Sequence, residues 1–296
     1  MELSKLPSYV WNEALVKLLM QQGFRRSVAD PSLFLRDDAR GYFTITAWVD
    51  DLCCCYDNEA EFQKLYESMN AAYPIGDVKP LAWHLGMQVT DGPGVIELSL
   101  STYIQEVIER FGLTEAYTSR CCVPMDSAKF KQNPLSKKDM PKTAEEKLDP
   151  ERCPYRALLG CLSYISLWGR PDICTAISIL ARFQDNPGKR HWEALKHVAV
   201  YLKRNPDYCI RYQQDAPKHN TLTGYVDADF ANSDPDEMRS RTGYVFFANG
   251  GPVVWRSTLQ SLTAQSSCES EMIALNAAAK EAEWTRVVYS ELCNGA

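Results

Sequence analysis

The chain has 296 residues, of which 45% are hydrophobic and 24% charged, and carries a formal net charge of -6 at pH 7. That length allows two domains, the composition is that of a globular protein, and no stretch reaches the apolar length needed to span a bilayer. The acidic balance argues against a strong overall field for nucleic acid, though it leaves a local basic groove open.

Ser8-Tyr9-Val10-Trp11 opens a helical pattern with apolar positions at Leu15, Leu18 and Leu19, and Gly23 supplies the stop. Strands are predicted at about Ser32–Leu35, Tyr42–Val49 and Leu52–Tyr56, and Asp57-Asn58-Glu59 caps a helix running to about Met69. Leu81–Val89 and Val95–Leu100 read as a hairpin closed by Asp91-Gly92-Pro93-Gly94. Thr102-x-x-Gln105 reads as a capping box for an amphipathic helix that ends at Gly112. Residues 114–153 are polar and proline-bearing, the pattern of a surface connection. Three helices are predicted next, near Tyr155–Leu167, Asp172–Phe183 and Lys189–Lys203, with Pro171 well placed to start the second. A run of short strands follows, near Tyr208–Gln213, Leu222–Ala228, Arg241–Ala248 and Pro252–Arg256, and a long helix at about Ser267–Leu292 ends the series.

The eleven cysteines are odd in number, with Cys53-Cys54-Cys55 and Cys121-Cys122 adjacent. Such neighbours do not make a disulfide framework, so a reducing compartment is favoured. No pair of Cys-x-x-Cys units occurs, and His84, His191, His197 and His219 lack zinc-ligand spacing. The N-terminus has neither the basic start nor the apolar core of a signal peptide, which points to an intracellular protein of cytoplasm or nucleus.

Two acidic constellations stand out. Trp48-Val49-Asp50-Asp51-Leu52 places adjacent carboxylates at the turn between two strand-forming runs. Neighbouring carboxylates resist joint ionisation unless a cation is bound, and divalent metals both remove that penalty and drive phosphoryl transfer. The bland alternative is a solvated Asp-Asp turn. The second constellation joins Asp227-Ala228-Asp229, at the end of an apolar strand, to Glu269 and Glu271 at the start of the last helix. Here the bland alternative is an acidic loop together with carboxylates that favour a helix N-terminus. A calcium loop counted from Asp227 fails, because its sixth position is Asn232 and its twelfth Met238.

Taken together, these segments resemble the C-terminal part of a copia-type retrotransposon Pol polyprotein, the end of a reverse transcriptase followed by a ribonuclease H domain. Ala29-Asp30-Pro31-Ser32-Leu33-Phe34 before Trp48-Val49-Asp50-Asp51 resembles the approach to the family's Tyr-Val-Asp-Asp box. Leu85-Gly86-Met87-Gln88-Val89 is similar to its primer-gripping hairpin. Tyr155-Arg156-Ala157-Leu158-Leu159-Gly160, Arg170-Pro171-Asp172-Ile173, Asn186-Pro187-Gly188, His191-Trp192-Glu193-Ala194 and Tyr201-Leu202-Lys203 look like its connecting helices. Asp227-Ala228-Asp229-Phe230-Ala231, Thr242-Gly243-Tyr244-Val245-Phe246-Phe247 and Ser266-Ser267-Cys268-Glu269-Ser270-Glu271 resemble the start of ribonuclease H and its acidic helix.

The resemblance implies an α+β fold: a partial reverse-transcriptase palm with connecting helices, then an incomplete ribonuclease H-like α/β domain. Its divisions would be palm and primer grip over 1–113, a polar linker over 114–153, helical thumb or connection over 154–206, and truncated ribonuclease H over 207–296. It implies Asp50 and Asp51 as the polymerase metal-binding and catalytic pair, with Trp48 at the family's aromatic position. Asp227 and Glu271 would do the same work in ribonuclease H, with Asp229 and Glu269 as runners-up. Leu85, Gly86 and Met87 would grip the primer. Lys189, Arg190 and Lys196, with Lys129, Lys131 and Lys203 behind them, would be the basic contacts, read against the alternative of ordinary surface charge. The cofactor would be Mg2+, two ions per complete site. The partners would be an RNA template, a DNA primer, an RNA–DNA hybrid and nucleotides, with DNA integration a property of the parent polyprotein.

The pattern also breaks. The family's third polymerase aspartate and its fingers precede the segment matching Pro7-Ser8-Tyr9, Gly76 stands where a lysine is often found, and a further ribonuclease H strand with a metal-binding aspartate would follow the long helix. The expectation is therefore poor Mg2+ binding, little or no activity of the chain alone, and self-association through an exposed sheet edge. The alternative is a non-catalytic remnant that binds nucleic acid or protein.

Overall fold

The computed structural model describes residues 8–49, 51–73, 75–113, 123–125, 132–216, 221–231 and 234–293. They divide into two units, Met1–Leu81 with Glu281–Ala296, and Ala82–Lys280.

In the first unit, α1 (Ser8–Gln21) leads to β1 (Arg25–Arg26), β2 (Leu33–Asp38), β3 (Gly41–Trp48), β4 (Asp51–Tyr56) and α2 (Glu59–Ala72). The strands form one antiparallel sheet in chain order. Trp11, Leu15, Leu18 and Leu19 recur at helical spacing and make the single apolar stripe of α1. That stripe packs with Leu65 and Met69 of α2 against Phe34, Phe43 and Ile45 of the sheet. Gly23, at φ +88°, ends α1 in the left-handed conformation that glycine adopts without penalty. Asn58 caps α2 by accepting from the Ala60 amide. Arg36 lies buried against Glu61 at 3.1 Å, its guanidinium over the rings of Phe24 and Phe43. The last turns of the final helix serve the opposite face of the sheet. Tyr42 donates to the Leu292 carbonyl, Trp284 donates to Ala29, and Glu291 accepts from Arg25, Ser27 and Val28.

In the second unit, β5 (Trp83–His84), β6 (Met87–Gly92) and β7 (Val95–Ser99) precede α3 (Ser101–Arg110). Then come α4 (Tyr155–Trp168), α5 (Cys174–Leu180), α6 (Lys189–Arg204), β8 (Ile210–Gln213), β9 (Thr223–Asp229), β10 (Arg241–Ala248), β11 (Gly251–Leu259) and α7 (Ser267–Cys293). The residues of α7 up to Lys280 group here, and those from Glu281 group with the first unit. One core joins Ile104 and Ile108 of α3, Leu158 and Leu162 of α4, Leu180 of α5, and Leu195 and Val198 of α6. The strands make two antiparallel sheets, ordered β5-β6-β7-β8 and β11-β10-β9. No helix among the described residues is long and apolar enough to cross a membrane.

Mixed helices and antiparallel sheets accord with the expected α+β class, but several local expectations need correction. Thr102 is not a cap: α3 begins at Ser101 after Leu100, with no side-chain cap bond, and Ser99 Oγ instead accepts the Ser101 amide. The stretch expected as one strand at Leu81–Val89 folds back on itself, because Leu85 and Gly86 both take positive φ and close a two-residue turn. The middle helix breaks into 3-10 turns at Pro171–Ile173 and Ala181–Phe183 around a short α5. Finally, Ile210–Gln213 is a strand as expected, laddered with β7 in the sheet of β5 to β7. Strand propensity reports the extended state, and its partner is chosen by packing.

Candidate active site

The β3–β4 hairpin has a two-residue loop, since Trp48 pairs with Asp51. Val49 in that loop has φ +57°. For a β-branched residue this is a strained conformation, and the structure holds it from outside: Trp11 Nε1 of α1 donates to the Val49 carbonyl at 2.8 Å. Trp11 is itself fixed edge-on to Tyr73, with ring centroids 5.6 Å apart. The tip stands out from the sheet, with Trp48 54% and Val49 67% exposed. Asp51 is exposed at the start of β4, and its carboxylate makes no hydrogen bond or ion pair among the described residues. Asp50 lies outside the described residues.

The second turn is Leu85-Gly86, between paired His84 and Met87. Tyr164 of α4 donates its hydroxyl to the Leu85 carbonyl. A Cβ on Gly86 would lie 2.6 Å from that hydroxyl oxygen, so both φ and close approach demand glycine. Met87 is 6% exposed and belongs to the core, which leaves the turn's backbone as its presenting surface.

The basic candidates divide by what they already hold. Arg190 binds Asp139 at 2.6 Å and the Asn133 carbonyl. Burial opposes ionisation of Asp139, but Arg190 and the Ser136 amide outweigh it and hold its carboxyl below the usual range. Lys196 pairs with Glu193 at 2.9 Å and lies over the Trp192 ring. Lys203 donates to the Leu113 carbonyl. Lys189 is exposed at the start of α6, without a hydrogen bond or ion pair among the described residues. Lys129 and Lys131 lie outside the described residues.

The second acidic group divides in the same way. Asp229 accepts the Arg241 amide, and Glu269 accepts the Gln265 amide at 2.7 Å while its own amide bonds Ser266 Oγ. Both runners-up are thus occupied with backbone groups. Asp227, exposed on the edge strand β9, faces Gly243, which has no side chain to cover it. Glu271 is exposed in the first turns of α7, and neither of these two carboxylates has a hydrogen bond or ion pair among the described residues. Among those residues no group of three or more His, Cys, Asp or Glu side chains could hold a metal.

Sequence reasoning missed Trp11 and Tyr164 as props for the two turns. They act across 38 and 79 residues, respectively, and no local pattern marks them. A readable signal that went unused is Asn249-Gly250, both at positive φ, which closes the β10–β11 hairpin.

Mixed helices and antiparallel sheets are consistent with a reverse-transcriptase-like domain. Residues 4–127 match the reverse transcriptase (RNA-dependent DNA polymerase) family. The chain is 32% identical over 285 residues to the retrovirus-related Pol polyprotein from transposon TNT 1-94 of Nicotiana tabacum, covering 95% of this chain and 21% of that protein. It is 27% identical over 285 residues to the Pol polyprotein from transposon RE2 of Arabidopsis thaliana, covering 95% of this chain and 18% of that protein. A shorter relative, secreted RxLR effector protein 161 of Plasmopara viticola, is 40% identical over 134 residues, which make up 45% of this chain and 92% of the effector. Over nearly its whole length the chain is thus related to retrotransposon Pol polyproteins. It spans about a fifth of the length of the two Pol polyproteins. No solved structure matches it.

Reverse transcriptases as a family depend on divalent metal. The exposed, unpaired Asp51 carboxylate suits a hard cation, and its partner there would be Asp50. Asp227 and Glu271 are of the same chemical type, but the described residues bring no third ligand to either place.

Proposed function

We propose that the first unit is part of the palm of an RNA-directed DNA polymerase that acts on an RNA template, a DNA primer and nucleotides. In the same reading, residues 82–113 carry the primer grip, 114–153 connect, 154–206 form the helical thumb or connection, and 207–296 belong to a ribonuclease H-like domain for RNA–DNA hybrids. The observation that carries the reading is the strained β3–β4 tip. A β-branched residue at φ +57°, propped by a distant tryptophan, sits beside adjacent aspartates inside the segment that matches the reverse transcriptase family. Strain of this kind gathers at functional sites, where the surroundings over-determine it.

Asp50 and Asp51 would hold Mg2+, which when bound lowers the pKa of the attacking hydroxyl and stabilises the departing pyrophosphate. Trp11 keeps the tip in register, so that the carboxylates meet the primer end in one orientation. The Leu85-Gly86 turn, braced by Tyr164, offers backbone to the primer strand. Asp227 and Glu271 are the second domain's candidate acids without a partner among the described residues, and hybrid binding would rest on backbone shape and charge, with Lys189 as one cation unengaged among those residues.

The test pairs Mg2+-dependent primer extension on an RNA template with cleavage of an RNA–DNA hybrid. Synthesis that disappears in Asp50→Asn would support the polymerase assignment and overturn the expected inactivity, and cleavage that disappears in Asp227→Asn would do the same for the second domain. Activity indifferent to both substitutions would overturn the site assignment. A second reading, a non-catalytic binding module, is favoured by one observation: the aligned 134 residues make up 92% of a separate protein, the effector. Tight hybrid binding without turnover, unaffected by Mg2+, would favour that module.

A further inference from the structure

His191 is fully buried, and the proposed reaction uses it nowhere. It is the third residue of α6, and its ring Nδ1 accepts the Gly188 amide at 2.9 Å. That is the place and duty of the glutamate or glutamine in a capping box. An amide can donate to Nδ1 only if that nitrogen carries no proton, so the ring is neutral with its proton on Nε2. Nε2 is itself buried, with no hydrogen-bond partner among the described residues. One ring face stacks on Phe183, with centroids 4.0 Å apart and planes 14° apart.

The junction around this ring joins several elements. Gly188 packs directly on the 3-10 turn Lys137–Asp139, where a Cβ would overlap the Asp139 carbonyl oxygen. Arg190 binds Asp139 from α6, and Asp236 of the β9–β10 connection accepts the Lys137 amide at 3.0 Å. Burial is the strongest influence on His191 and opposes a charged ring, as does Arg190. Asp139, the Ser136 backbone and Asp236 favour the charge without prevailing, so the imidazole is held below its ordinary pKa. The other charged groups nearby are paired: Arg182, over the Phe183 ring, with Asp234 and Asp236, and Lys137 with Glu237.

We propose that His191 is an acid-sensitive latch: neutral, it closes the start of α6 onto the Lys137–Asp139 turn, and protonated, it releases the Gly188 amide and opens that junction. One proton is taken from solvent at Nδ1, the bond from Gly188 breaks, and the freed amide turns to water. In the open junction the ring has the ordinary histidine pKa of about 6.5. The closed form is therefore fully held above that value. As pH falls below it, the opening constant rises by up to about tenfold per pH unit until the closed form's own pKa is reached. The carboxylates of the junction respond about two units lower.

Hydrogen exchange of the full chain, corrected for intrinsic rates, measures the opening of Gly188–Trp192. Between about pH 7.5 and about pH 5.5 the opening constant should rise about tenfold. His191→Gln supplies a capping acceptor that does not titrate, so it should stay closed and lose the pH dependence, whereas His197→Gln should keep it. If His191→Gln fails to fold, the chain carrying His84→Gln, His197→Gln and His219→Gln leaves one ring, whose nitrogen chemical shifts report the tautomer directly. A proton on Nε2 alone is expected at neutral pH. A flat opening constant in the starting chain, the same slope in a folded His191→Gln variant, loss of the slope in His197→Gln, or a proton on Nδ1 would each overturn the proposal.

Discussion

Gly86 allows the support of the second hairpin to be tested quantitatively. Its φ is +74°, and a Cβ there would stand 2.6 Å from the Tyr164 hydroxyl oxygen. Tyr164 has little room to yield, since its ring packs edge-on to Tyr103 at 5.0 Å and its hydroxyl donates to Leu85. The left-handed backbone costs an L-residue about 1–2 kcal/mol. Displacing the hydroxyl from Leu85 removes one hydrogen bond, about 1 kcal/mol net. Gly86→Ala should therefore destabilise the fold by about 2–3 kcal/mol, and Tyr164→Phe alone by about 1 kcal/mol. In the double variant the clash is gone and the bond is already lost, so the total should stay at about 2–3 kcal/mol, below the additive sum of about 3–4 kcal/mol. Urea unfolding followed by tryptophan fluorescence supplies the four values, provided that m is common to all four. Additivity to within about 0.3–0.5 kcal/mol would refute the close approach, and a neutral Gly86→Ala would refute the left-handed turn as well.

Trp11→Phe keeps a ring in the core but removes the bond to Val49, so a loss of about 1 kcal/mol is expected. Amide exchange should quicken at Trp48 and Asp51, the pair that closes the hairpin, and unchanged exchange there would show that the tip does not need its prop. At the buried Arg36–Glu61 pair the two deletions should be unequal. Glu61→Leu leaves the buried guanidinium only the Gln22 carbonyl and should cost the more, whereas Arg36→Met leaves Glu61 its second partner, Lys64 at 2.7 Å. Equal losses in chemical denaturation would contradict this account. For Glu291, burial opposes ionisation, but Ser27, Arg25 and the Val28 amide outweigh it and hold the carboxyl below its ordinary value. A lowered folded pKa means stability that is present above the usual carboxylate range and lost as pH falls through the folded value. Glu291→Gln should thus flatten the acid limb of the stability–pH curve, and an unchanged slope would refute the linkage.

Much of the fold was legible wherever a local period controls the outcome. The stripe Trp11, Leu15, Leu18 and Leu19 announces α1, Asn58 announces the start of α2, and Pro171 marks the turn into the middle helix. What was not legible depends on distance along the chain. Ile210–Gln213 is extended whatever its partner, and only packing sends it to β7. Thr102 satisfies a capping pattern, yet the helix starts two residues earlier, with Leu100 at the cap position, buried and accepting the Ile104 amide at its carbonyl. The carboxylates themselves were legible by type, and the props that orient them were not.

The sorting of the second acidic group shows what structure adds when residue type alone is silent. Four carboxylates fall within two short segments, and by chemistry any of them could hold a cation. A carboxylate that already satisfies a backbone amide would have to give up that bond to coordinate a metal, at a cost of about 1–3 kcal/mol for a charged acceptor. Asp229 and Glu269 are in that position, so their replacement should first loosen the β9–β10 pairing and the start of α7. Asp227 and Glu271 have no such duty, so Asp227→Asn and Glu271→Gln should leave stability nearly unchanged. A large loss of stability in either variant would mean that it has a structural role as well, and the distinction between tied and untied acids would fail. If stability is kept, any change in hybrid binding or cleavage belongs to the carboxylate itself.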